Sequence, residues 1–151
     1  MKDVYKVCDV TIHYEPLIKP SERLQIKNSR DIFSFLMEHV FDMKTIQHKE
    51  SFNVVLLNRA SKVLGVHLIS EGGVNGTIVD IRLIIQSAIL SNSSGIILCH
   101  NHPSGNMMPS NQDRCITNNI QEACKLFDIT VLDHLIITAE GYYSFADEGV
   151  L

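Results

Sequence analysis

The chain has 151 residues, enough for one domain and too few for two comfortable ones. A composition 45% hydrophobic and 20% charged is that of a soluble globule and excludes a disordered chain or a fibre. Thirteen basic against seventeen acidic side chains leave a net charge of −4, which argues against a protein that grips nucleic acid by bulk charge.

In chain order, Val4 to Tyr14 reads as a strand-like stretch ended by Pro16 and Pro20, and residues 1–28 as an arm beside a main domain of residues 29–151. Ser29 is placed to cap a helix whose Ile32, Phe33, Leu36, Met37 and Val40 share one apolar face. Phe52–Leu57 and Val63–Ile69 are predicted strands about the turn Asn58-Arg59-Ala60-Ser61. Residues 71–76, with Gly72, Gly73 and Gly76, mark a loop. Asp80–Leu90 is predicted as a buried helix through Ile81, Ile84, Ile85, Ala88 and Ile89, and Gly95–Cys99 as a short central strand. Pro103–Pro109 is a loop. Ser110 then opens a helix with Ile116, Ile120, Ala123 and Phe127 expected on its inner face, and Ile129–Ile137 and Tyr142–Phe145 close the chain as strands. Strands and helices interleave, so the class is α/β with a mixed sheet carrying helices.

Cys8, Cys99, Cys115 and Cys124 form no C-x-x-C pair and no dense framework, the pattern of reduced thiols in a cytoplasmic protein. The first residues lack an apolar h-region and no segment approaches roughly 18 consecutive apolar residues, so neither export nor a membrane is expected.

The informative segment is His100-Asn101-His102-Pro103-Ser104-Gly105, followed by Pro109-Ser110-Asn111-Gln112-Asp113. Histidines at i and i+2 leave an extended backbone on the same side, so both imidazoles reach one point. Ten residues separate His102 from Asp113, which lets the next helix present a carboxylate. Two imidazoles and one carboxylate form a three-ligand set suited to zinc. The same set also matches the facial triad of iron oxygenases. Ser110-x-x-Asp113 fits a helix capping box as well; capping accounts for those two residues without metal, but not for the histidines. Residues 51–151 hold five basic and nine acidic side chains and carry the whole net charge. A metal centre would account for that acidity, and so would a solvated acidic surface, the commoner case. Other signatures fail: His13-Tyr14-Glu15 has no P-C-x-x-C to complete a zinc deaminase, and there is no H-E-x-x-H or phosphate-binding glycine loop. Asp133-His134 is read as structural, because strand neighbours face opposite ways, and His13, His39, His48 and His67 as surface residues.

His100-x-His102-Pro103 with Ser110-x-x-Asp113 resembles the JAMM motif of the JAB/MPN metalloprotease superfamily, H-x-H-x(10)-D with serine three residues before the aspartate. The string HNHPSGNMMPSNQD, His100 to Asp113, is similar to the RadC family. Further RadC-like pieces are Glu50-Ser51-Phe52 leading into Val55-Leu56-Leu57-Asn58, then Gly76-Thr77, and Leu132-Asp133-His134-Leu135-Ile136-Ile137. The chain departs from the family in two places. Longer members carry an N-terminal helix-hairpin-helix region for which 151 residues leave no room, so a short RadC-like protein is expected. Most members also carry Pro-Arg-Glu where this chain has Ile81-Arg82-Leu83.

The resemblance implies a single JAB/MPN domain of the cytidine-deaminase-like kind, a mixed sheet sandwiched by helices. It implies one Zn2+ per chain held by His100, His102 and Asp113, with Glu50 as general acid/base and Ser110 hydrogen-bonding the reacting oxygen. Spacing alone would not choose Glu50 among eight glutamates. The implied activity is a zinc-dependent metallopeptidase with a protein or peptide substrate. The alternative from another class is a nucleic-acid-associated accessory protein, in DNA repair or a mobile element, with a structural or vestigial metal site.

Overall fold

Asn58 turns the first hairpin: its Oδ1 accepts from Ala60 N at 2.9 Å and Lys62 N at 2.9 Å, a short-range turn that asparagine favours. It joins β1 (Ser51–Leu57) to β2 (Val63–Glu71) in antiparallel register. β3 (Gly95–Asn101) runs antiparallel to β1 on its other side. β4 (Thr130–Ile137) lies parallel to β3, and β5 (Tyr142–Ser144) returns antiparallel to β4. The order is β2-β1-β3-β4-β5. A parallel pair needs a long crossover, and α3 (Asn111–Lys125) supplies it. These are the features of the computed structural model, which describes residue 11 and residues 13–72 and 78–151.

Two apolar layers hold the sheet between helices. On one face Ile84 and Ala88 of α2 (Ile81–Leu90), with Ile120 and Cys124 of α3, cover Phe52, Val54, Ile96, Leu98 and Val131. On the other, Ile32 and Leu36 of α1 (Ser29–His39) cover Val55, Ile97, Cys99, Leu135 and Ile137. Each such aliphatic side chain contributes about 1.5–3 kcal/mol on burial. β3 lies at the centre of the sheet with all seven residues buried, so whatever polar group it carries must be partnered. No helix among the described residues is long and apolar enough to cross a membrane.

From α1 onward the expected helices and strands are present, with local differences. Asn28, not Ser29, caps α1, because its Oδ1 accepts from Asp31 N at 3.0 Å. α2 is buried along one stripe only: Asp80 caps it, Ile84 and Ala88 face the sheet, and Ile89 is exposed. The inner face of α3 is Thr117, Ile120 and Cys124, while Phe127 lies beyond the helix end and half exposed. That stripe follows Asp113 at intervals of four, three and four residues, so the helix is rotated to turn its capping aspartate toward the sheet. The last strand stops at Ser144, leaving Phe145 buried behind it. The expected strand from Val4 falls largely outside the described residues, as does most of the expected glycine loop at 71–76. Leu24 and Ile26 bond across to Val63 N and Ser61 O, tying the chain before α1 to the start of β2.

A bulge in β4 has a consequence for the centre of the molecule. Ile96 pairs with Val131 but Ile97 pairs with Asp133, leaving Leu132 as an extra residue. The shift changes the side on which every later β4 residue falls. It puts His134 opposite Leu98, on the α2 and α3 face. Gly95 accommodates the bulge: a Cβ there would lie 3.0 Å from Leu132 Cδ1.

Candidate metal centre

β3 continues through Asn101, so His100 belongs to the strand proper and not to a strand-to-loop junction; it is 1% exposed. His102 follows it and extends the pairing, with its N–H bonded to Ile137 O at 2.9 Å. The i, i+2 spacing places both rings on the face covered by α2 and α3, and the Nε2 atoms lie 3.0 Å apart. A β-turn then begins at His102, closed by Gly105 N to His102 O at 3.1 Å, with Pro103 at its second position. Gly105 takes φ +79, a conformation that costs glycine little. The turn brings Asn106 O within 2.6 Å of His102 Nδ1. A carbonyl only accepts, so His102 carries its proton on Nδ1 and offers the Nε2 lone pair to the centre.

Asp113 arrives from the other direction, at the third position of α3. The capping box is complete: Ser110 Oγ accepts from Asp113 N at 3.1 Å, and Asp113 Oδ2 accepts from Ser110 N at 2.6 Å. The aspartate oxygens lie 3.2 Å from His100 Nε2 and 3.5 Å from His102 Nε2. Burial works to raise the Asp113 carboxyl, but bonds with His100, His102 and Ser110 outweigh it and hold it well below the usual carboxylate range. The same contact raises His102, with a further contribution from the charge of Glu50.

These three side chains form a group whose donor atoms could hold a metal ion. Two atoms each about 2.05 Å from one tetrahedral zinc lie about 3.3 Å apart; the two Nε2 atoms are 3.0 Å apart, Asp113 Oδ1 is 3.2 Å from His100 and Asp113 Oδ2 is 3.5 Å from His102, all near that value. Two imidazole nitrogens and one carboxylate oxygen are also the donor types of open zinc sites. The residues fit the ion.

Glu50 stands outside this group but lines the same cleft, an open cavity of about 710 Å³ shared with Phe52, His102, Ser110 and Asp113. It is half-buried, and its backbone carbonyl accepts from Gly72 N at 2.9 Å. The segment carrying it is held by Asn101, which sequence reasoning did not single out. Asn101 Nδ2 donates to Ile46 O at 2.6 Å and Lys49 O at 2.8 Å, while its Oδ1 accepts from Ser51 N at 2.8 Å. A buried asparagine at the end of a central strand was the available signal. Each buried partner left unpaired costs about 1–3 kcal/mol. Asn101→Ala is therefore expected to lower stability by about 3 kcal/mol or more in urea unfolding; an unchanged midpoint would mean the segment is held by other means.

Asp133 and His134 do not form a relay with each other. The Asp133 carboxylate accepts from Ser144 Oγ at 2.6 Å and Ala146 N at 3.0 Å, closing the chain after β5, the structural role expected of it. The His134 ring instead lies 2.8 Å from His100 Nδ1 and 2.6 Å from Thr117 Oγ1. Burial pushes its pKa well below the ordinary histidine value. Phe145 stacks on one side of it at 4.8 Å between centroids, and Phe52 meets it edge-on at 5.6 Å. His13, His39, His48 and His67 are exposed, as expected.

The family model described as RadC-like JAB domain matches residues 26–150. A UPF0758 protein of Flavobacterium johnsoniae is 42% identical over 126 residues, covering 83% of this chain and 53% of the relative. UPF0758 proteins of Porphyromonas gingivalis, 41% identical over 130 residues, and Alkaliphilus metalliredigens, 42% over 127, cover 85% and 84% of the chain and 56% and 53% of their own lengths. The chain thus spans about half the length of the curated relatives it matches. With the five-stranded mixed sheet, the three helices and the matched residues taken together, the chain belongs to the RadC family of JAB-domain proteins.

Proposed function

We propose that the chain is a zinc-dependent hydrolase of the JAMM type that cleaves a peptide or isopeptide bond. The observation that carries this reading is the convergence of two imidazole nitrogens 3.0 Å apart with the Asp113 carboxylate, whose two oxygens lie 3.2 Å from one and 3.5 Å from the other, beside a cleft that Glu50 and Ser110 line. His100, His102 and Asp113 would hold the ion. When bound, zinc supplies Lewis-acid polarisation and an acidified water.

The chain's own residues divide the remaining work. Glu50, beside the ligands and not among them, accepts a proton as the water oxygen joins the carbonyl carbon. It then delivers that proton to the amine as the C–N bond breaks. Ser110 accepts the Asp113 N–H for the cap, which leaves its own O–H able to donate to the carbonyl oxygen as charge develops there. Such a donor contributes about 3–4 kcal/mol to the barrier. Phe52 stacks on His100 at 5.7 Å between centroids, 14° from parallel, and screens that ligand's ring.

Among the described residues no Lys or Arg lines the cleft; those residues offer no cation to a phosphate backbone, which favours hydrolysis over a nucleic-acid role. The test is hydrolysis of model peptides by the zinc-loaded chain, with a chelated sample as control. Cleavage that stops on chelation supports the reading. Salt-dependent DNA binding without cleavage would replace it with the accessory role.

Ser110→Ala separates the two duties of the serine. Loss of the cap is expected to cost about 1 kcal/mol, read by thermal unfolding, and loss of the donor to lower turnover as well. A variant that melts lower yet hydrolyses normally would leave capping as its only duty.

A further inference from the structure

We propose that His134, backed by Thr117, is a positioning residue that selects the metal-binding tautomer of His100. This rests on the reading of His100 as a metal ligand. A hydroxyl has one proton to give. Thr117 Oγ1 gives it to Asp113 O, one turn back along α3, at 2.6 Å, a frequent contact for a helical threonine. Toward His134 Nδ1, also at 2.6 Å, the same oxygen can therefore only accept, so that nitrogen carries the proton. A neutral imidazole with its proton on Nδ1 has a lone pair on Nε2. That lone pair lies 2.8 Å from His100 Nδ1, which must then be the donor. His100 is left with its own lone pair on Nε2, the atom 3.0 Å from His102 Nε2 and 3.2 Å from the Asp113 carboxylate.

The order of protons is thus set from the backbone carbonyl of one ligand, through two side chains, to the ring of another. Rotation of His134 is restricted by Phe145 and Phe52 around it, and the ring is fully buried, so water does not supply an alternative partner. His102 is set independently by Asn106 O. Two different devices therefore present two nitrogens of the same kind to one point. If His134 held its proton on Nε2, His100 would have to accept at Nδ1 and carry its proton on Nε2, where a metal must bind.

The test uses two variants of the whole chain. Thr117→Val keeps the shape but removes the acceptor; Thr117→Ser restores it. Zinc affinity is read by competition with a chromophoric chelator, and the tautomers by 15N NMR of the histidine rings in the metal-free chain. The parent and Thr117→Ser should show His134 protonated on Nδ1 and bind zinc alike. Thr117→Val should bind zinc about 10–100-fold more weakly, the usual cost of losing a partner behind a metal ligand, with His134 moved toward the Nε2–H form. Equal zinc affinity in parent and Thr117→Val, or a parent His134 protonated on Nε2, would overturn the proposal. A parent that shows the Nδ1–H form but binds no zinc would overturn the metal reading instead, and with it any role in ligand selection.

Discussion

Glu50→Gln is expected to retain zinc while turnover of a model peptide falls by about 10²–10⁴-fold. Glutamine keeps the length, the planar head and most hydrogen-bonding capacity of glutamate, but its amide does not accept a proton at physiological pH. The carboxylate lines the cleft beside His102 and Ser110 without belonging to the group His100, His102 and Asp113 that could hold a metal. Removing its charge should therefore touch proton transfer and leave the metal-holding atoms in place. Its charge also helps to raise His102, so the variant should, if anything, ease loss of the competing proton from that ring. Zinc content and turnover are measured on one preparation. Loss of zinc would make Glu50 a ligand; unchanged turnover would reduce it to a carboxylate at the entry of β1.

The double variant His100→Ala, His102→Ala is expected to fall from about one zinc per chain to less than about a tenth, with hydrolysis lost alongside. Only Asp113 would remain of the three donors, and one carboxylate does not make a zinc site. Because His100 is buried at the centre of the sheet and bonded to His134, the change also leaves a void and a polar ring without its partner. Far-UV circular dichroism separates unfolding from loss of ligation. The single variant His102→Ala, at a half-buried position at the cleft edge, gives the same comparison with less strain. Full zinc content in the folded double variant would remove the site.

The grouping of His100, His102 and Asp113 was legible because it is local: an i, i+2 pair on a strand and an aspartate fixed by a helix cap both follow from short-range geometry. The strands and helices were legible from alternating and helical apolar spacing for the same reason. The rotation of α3 was not. Ile116, Ile120, Ala123 and Phe127 make a good apolar stripe, but Asp113 must face His100, and that long-range demand turns Thr117 and Cys124 inward instead. His134 was hidden for a related reason. Its place on the same face as His100 depends on the extra residue at Leu132, which packs closely against Gly95 in a different strand. Asn101 sits between the two histidines of the motif, yet its partners lie about 50 residues earlier, at Ile46, Lys49 and Ser51. Glu50 differs again, since no spacing links it to the ligands and only the resemblance to RadC proteins singled it out. The structure brings it to the cleft through the pairing of Phe52 with His100 across β1 and β3.

The central claim is that His100, His102 and Asp113 hold one zinc ion. Anomalous diffraction at the zinc edge, on crystals grown with one equivalent of zinc, tests it most directly. The expected result is a single peak about 2.0–2.2 Å from Nε2 of both histidines and from an Asp113 carboxylate oxygen, with the Glu50 carboxylate outside coordination distance. A peak at any other set of side chains, or none in crystals that have taken up no zinc, would contradict it.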